Sequence, residues 1–300
     1  MTGSRRIRGI VPAALVIAAL SVIASALPAQ GGRGGARGPS GPMRQAARLD
    51  VQGKTTQARA IYQSVIDTVS DPAAKAAAQR AMAMSYAFDG DCANTVKYES
   101  QVIDYWKTRE QAEPQNAFYQ EGEMADEAAR VCIDTGDLDT AEHWYRVGYE
   151  LGMKEPALRT HPKSLWDFRL AHALGRLAAR RGDTTEAHRQ IANARRILGS
   201  DSAMAAQQRR FLPYLVGYVA LYTNDLSTAE AQFTKAIALR GNQRDPFMHC
   251  LLAMTYDRMG KQDEAKAMYQ KAYAMATAHN PPAAFVRRYV QKKRSAGAVQ

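Results

Sequence analysis

The chain has 300 residues, 46% hydrophobic and 23% charged, with 40 Lys and Arg against 29 Asp and Glu for a net charge of +11. That apolar content offsets the ordering entropy of a core and excludes a disordered chain, and 21 Gly with 12 Pro exclude a collagen-like or mucin-like one. Three cysteines, an odd number, exclude a fold organised by disulfides.

Residues 1–9 carry Arg5, Arg6 and Arg8 without an acid, and 10–27 hold no charge. Small residues at Ala24-Ser25-Ala26 and Pro28-Ala29 complete the three-part pattern of a secretory signal, so 1–29 reads as an export signal. An uncleaved anchor is the rival reading, because the apolar run approaches the length that spans a bilayer. Either way the arginines hold the N-terminus inside and the rest of the chain lies outside the cytoplasm. Cleavage removes three arginines and lowers the charge from +11 to +8. Residues 30–42, rich in Gly, Arg and Pro, follow as a flexible linker, and the folded part is expected from Met43.

From Met43 onward the apolar spacing is helical, with no alternating strand pattern. A helix breaker recurs at Gly53, Gly90, Gly136, Gly182, Asn224 and Gly260. Seven residues before each stands Ala or Gly, as at Ala83 and Gly217, and five after each stands Ala, with Thr95 the exception. Nine after come Tyr62, Glu99, Tyr145, Ile191, Phe233 and Tyr269, where Glu99 breaks an otherwise apolar row. Small residues let two helix axes approach, and the large residue one turn on fills the space beside them. The breaker takes the left-handed conformation between the helices. Pro72, Pro114, Pro246 and Pro281 mark starts of new pairs, with Asp71 and Asp245 as N-caps. Pro213, inside the fifth pair, is expected to kink its first helix.

GDLDTAEHWYRVGYEL and GKQDEAKAMYQKAYAM, with LAMTYDRMG before the latter, resemble the helices of tetratricopeptide repeats. The resemblance covers about 43–280. It implies an all-α, right-handed superhelical solenoid of antiparallel helix pairs, six in number, with 281–300 as a basic capping helix and tail. Two features depart from the family. The first-helix Trp is absent, its positions holding Pro42, Gln79, Ala125, Ala171, Pro213 and His249. The spacings of 37, 46, 46, 42 and 36 exceed the 34 of the family, so longer helices or loops are expected over 103–115, 149–164 and 197–204.

The resemblance also places ligand contacts on the first helices, along the concave side of the stack. In the fourth pair those positions are Arg169, His172, Arg176 and Arg180, and in the fifth Phe211, Tyr214, Tyr218 and Tyr222. The third pair contributes Glu123, Asp126, Arg130 and Asp134. A basic row beside an aromatic row suits a peptide carboxylate whose apolar side chains lie on the rings. Tyr214, Tyr218 and Tyr222, four apart, would equally make a packed helix face; the charges at the same offsets in the third pair favour an open one.

Enzyme signals are thin: the six His form no i, i+4 pair, and no HExxH, CxxC, GxSxG or Gly-rich phosphate loop occurs. No cofactor or metal site is expected, and Glu121, Glu123, Asp126 and Glu127 read as a solvated face rather than a cation site. Cys92 and Cys132 fall at neighbouring helix ends, where an oxidising compartment would allow a disulfide. With the distance unreadable, two buried free thiols are the expectation. Arg287, Arg288, Lys292, Lys293 and Arg294 form a basic cluster that serves as an end cap or meets anionic lipid or an acidic partner. Nucleic acid is not expected, for want of interleaved aromatics.

The reading is therefore a non-catalytic scaffold of the bacterial periplasm or cell envelope that takes a protein or peptide partner in its concave groove, with membrane association through an uncleaved N-terminus or the basic C-terminus. The alternatives are an accessory subunit of an envelope assembly or secretion complex, and an envelope enzyme or carbohydrate-processing factor using the acidic third pair.

Overall fold

All six expected breakers adopt positive φ, from 68° at Asn224 to 94° at Gly136, and each ends the first helix of a pair. The computed structural model describes residues 41–156, 161–295 and 297. The signal or anchor over 1–29 and nearly all of the 30–42 linker lie outside the described residues. Gly41 and Pro42, assigned to the linker, instead open the first helix.

The pairs are α1 (Gly41–Val51) with α2 (Thr55–Thr68), α3 (Pro72–Asp89) with α4 (Cys92–Lys107), and α5 (Pro114–Thr135) with α6 (Leu138–Gly152). They continue as α7 (Lys163–Arg181) with α8 (Thr184–Ser200), α10 (Leu212–Tyr222) with α11 (Leu226–Ala238), and α12 (Pro246–Arg258) with α13 (Gln262–Met275). A short α9 (Ser202–Gln208) and a 3-10 turn (Arg209–Phe211) separate the fourth and fifth pairs, and α14 (Pro281–Ser295) closes the chain. Among the described residues there is no strand. Each helix packs on its pair partner, and successive pairs stack in chain order, as in a solenoid of tetratricopeptide type.

The small-residue rule explains the closeness of the pairs. Ala46, Ala83, Ala129 and Ala253 in the first helices, and Ala58, Ala141, Ala187 and Ala229 in the second, are fully enclosed. A Cβ on Gly217 would stand 2.9 Å from the ring of Phe233, so that crossing has room only for glycine. Thr95 and Glu99, the two misfits of the pattern, are equally buried. Thr95 satisfies its hydroxyl on Asp91 O at 2.8 Å.

Second helices start on a device that the sequence reading did not single out. Asp91, Asp137, Asp183 and Asp225 each follow the left-handed residue and accept a backbone N–H three residues on, from Asn94, Thr140, Glu186 and Thr228. Asp71 and Asp245 cap α3 and α12 as expected. Pro213 does not kink a helix: it stands in the first turn of α10, where its missing N–H has no intrahelical partner to lose. The residues that would have extended α10 backwards form α9 and the 3-10 turn instead.

Cys92, the first residue of α4, and Cys132, near the end of α5, are joined by a disulfide with Cα atoms 4.8 Å apart. This corrects the expectation of free thiols, because stacking brings the two helix ends closer than spacing along the chain could reveal. Cys250 is free and buried. Among the described residues no helix is long and apolar enough to cross a membrane.

The last helix decides what the concave side looks like. α14 packs on α12 and α13 as a cap would, and also against α3, α5 and α1, the first helices of the opposite end. Met84, Ala87, Phe88 and Val131 from that end join Tyr218, Phe247 and Phe285 in one apolar cluster.

Candidate concave binding face

The first helices bring the expected residues together but leave little of them open. In α7, Arg176 is 6% exposed and donates to Tyr145 Oη at 2.8 Å and Tyr214 Oη at 3.3 Å, with its cation over the Tyr145 and Tyr218 rings. His172 is buried 5.0 Å, centroid to centroid, from Tyr214. Burial, and then the Arg176 and Arg130 charges, hold its imidazole neutral, well below the ordinary histidine range. Arg180 donates to Ile133 O at 2.8 Å, at the C-terminus of α5, and to Tyr218 Oη at 3.4 Å. Arg169 pairs with Glu123 and lies over the Trp166 ring.

Tyr214 and Tyr218 are buried, while Tyr222 is partly covered and lies beneath Arg180. Phe211 ends the 3-10 turn with Arg210 over its ring. Arg130 sits over Phe247 of the sixth pair. Burial pushes the Asp134 carboxyl up to about 6 against the pull of Arg130, Arg176, Arg180 and Arg288. The expectation of an open face is thus corrected for His172, Arg176, Tyr214 and Tyr218, which are buried. The tyrosines four apart make a packed face, and the arginines are committed to phenol oxygens and helix-end carbonyls. Solvent still reaches the half-buried Arg130, Asp134, Glu123 and Asp126 of α5, together with Arg169, Arg180, Phe211 and Tyr222.

The acids of the third pair do not converge on one point. Glu123 pairs with Arg169 of α7, and Glu127 takes both arms of Arg80 of α3. Glu121 is pushed up to about 7 by burial and the neighbouring Glu110 carboxyl. Among the described residues no group of three His, Cys, Asp or Glu is placed to hold a metal ion.

Sequence reasoning missed three things. Trp166 is 1% exposed, donates to Glu155 Oε1 at 2.7 Å, and has no counterpart in the repeat register. Asp50, fully buried, accepts from Tyr62 Oη at 3.2 Å and Ser85 Oγ at 2.7 Å and meets His279 Nε2 at 2.7 Å, across 229 residues of chain. The third is the docking of α14 on α3 and α5; the helix itself is expected at 281–300, but only as an end cap. A legible signal did exist for it: the helix has apolar residues on two stripes, where an end cap needs one.

Residues 248–279 match the family profile of the tetratricopeptide repeat. That stretch is α12 and α13, the sixth pair, and it contains GKQDEAKAMYQKAYAM. No curated protein matches the chain. The matched repeat and the stacked helix pairs indicate a protein-interaction scaffold, an architecture typical of non-enzymatic proteins.

Glu99 carries a pH effect. Neither of its buried carboxyl oxygens has a hydrogen-bond partner. Burial, and then the Glu127 charge, hold it well above its ordinary value of 4.5 despite Arg80. The folded state therefore keeps a proton that the unfolded state releases, so this stability is present below pH 4.5 and is lost as pH rises towards the folded value. Glu99→Gln removes the effect. Its stability relative to wild type should climb by up to about 1.4 kcal/mol per pH unit above pH 4.5. Urea titrations at three pH values between 4.5 and 7 measure this, and a gap that stays constant contradicts it.

Proposed function

We propose that the protein is an exported, non-catalytic scaffold of the cell envelope that binds a partner peptide or helix on the concave face of the third to fifth pairs. The observation that carries this reading is that the concave face already holds a helix: α14 lies against α3 and α5, so the surface has the shape and chemistry to accept one. The half-buried Arg130, Arg180 and Tyr222 beside it supply cations and a ring edge for an acidic or carboxylate-bearing segment. The Cys92–Cys132 bond supports export, because such bonds persist in oxidising compartments.

Export is tested by fractionating cells and sequencing the mature N-terminus, expected to begin after Ala26 or Ala29. The groove is tested by affinity capture from envelope extract with the whole mature protein and its Arg130→Met and Arg180→Met variants. These changes keep the side-chain bulk, and circular dichroism melting checks each fold. Capture should fall at least about tenfold, the loss of one charge-assisted contact. Capture equal to wild type in both variants overturns the reading.

A further inference from the structure

α14 touches two different parts of the molecule through two stripes. On one, Arg287 Nε donates to Ala276 O at 2.8 Å and Lys293 Nζ pairs with Asp257 Oδ2 at 2.6 Å, both in or beside its own C-terminal pair. On the other, Pro281, Ala284, Phe285 and Arg288 line one small cavity together with Ala87 of α3 and Val131 and Asp134 of α5. That second stripe, with spacing i, i+3, i+4, i+7, is the face an amphipathic helix lays into a groove.

The contact reuses the joint between successive pairs. Arg180 caps the C-terminal carbonyl of Ile133, and Arg258 caps that of Leu221, each from the first helix of the next pair. Arg288 does the same for Asp134 O at 3.2 Å, and its guanidinium covers Gly90, where a Cβ would lie 2.3 Å from it. α14 thus docks on α3 and α5 as a helix of a further repeat would, although those helices lie more than 150 residues earlier in the chain. Just before α14, the His279 ring stacks on Phe88 at 5.6 Å and its Nε2 meets the buried Asp50.

Between the fourth and fifth pairs, after the α9 insertion, α10 leans on α7, and a cleft of about 450 Å³ remains between α8, α10 and α11. We infer that the concave stripe of α3 and α5 is a helix-docking surface with α14 as its resident occupant, and that a partner helix carrying the same small, aromatic and arginine pattern takes its place when the C-terminal pairs swing away. His279 and Arg288 are the latches. This deepens the scaffold reading and rests on it.

The probe is a labelled synthetic peptide of residues 279–295. Three proteins are compared: wild type, His279→Ala/Arg288→Ala, and Phe88→Cys/His279→Cys closed by a short bis-maleimide. The unlatched variant should bind the peptide at least about tenfold tighter than wild type, and the closed protein should not bind it. Hydrogen exchange should rise together in α1, α3 and α14 of the unlatched variant and stay unchanged in α7 and α8. Equal binding by all three proteins, no binding by the unlatched variant, or exchange rising evenly through every pair overturns the inference. Capture that depends on Arg130 but is the same for the closed protein removes only this inference. Peptide binding as expected, without Arg130-dependent capture, removes only the scaffold reading.

Discussion

Replacing Cys92 and Cys132 together by Ser will lower the unfolding free energy by about 4 kcal/mol. The bond closes a loop with a sequence separation of 40, and the chain entropy it withholds from the unfolded state sets that figure. The bond also ties the start of α4 to the end of α5, so it joins the second pair to the third at the turn where α14 rests. For a chain of this size the loss corresponds to a melting point lower by roughly 8–15 °C. Denaturant titrations of the oxidised protein, the reduced protein and the double variant measure it. The reduced protein and the variant should coincide; a loss under about 1 kcal/mol would show that the second and third pairs hold together without the bond.

Gly152→Ala will cost about 2–3 kcal/mol, a large effect for one added methyl. A Cβ there would stand 2.0 Å from the Trp166 indole, and one on Gly122 would stand 2.4 Å from it. The indole is therefore clamped between the backbones of α5 and α6 from two sides. It cannot turn away without giving up its N–H bond to Glu155, and a buried unpaired donor costs a further share. Gly199→Ala is the control. That helical glycine has nothing within 4 Å of its added methyl and should be unchanged or slightly stabilised, by no more than about 1 kcal/mol. Equal melting points for the two variants would mean that Trp166 repacks freely.

The fold was legible because its determinants are local. Left-handed breakers, Asp caps, Pro at helix starts and small residues at crossings act within one or two turns, and the six breakers stand where the pattern placed them. Misplacements arose where one residue serves two contexts. Pro213 starts a helix as readily as it bends one, and only the α9 insertion decides between them. Glu99 sits in an apolar row of the register, yet the helix keeps it buried because a protonated carboxyl tolerates the site.

The candidate site was legible as a set of residues but not as a surface. Arg176, Arg180, Tyr214 and Tyr218 do meet, as their shared offsets required. Whether they meet each other or a partner depends on how far the stack curves, and curvature accumulates from every seam in turn. Spacing within a pair carries no record of it.

From its order of residues alone, this protein determined that it is a stack of helix pairs, where each pair turns and which faces pack, since those are short-range consequences of helical periodicity and backbone sterics. Only the tertiary structure decided that Cys92 reaches Cys132, that His279 reaches Asp50 and that α14 comes to rest on α3 and α5. Each of those contacts joins residues that share no local signal and are brought together only by the summed geometry of the pairs between them.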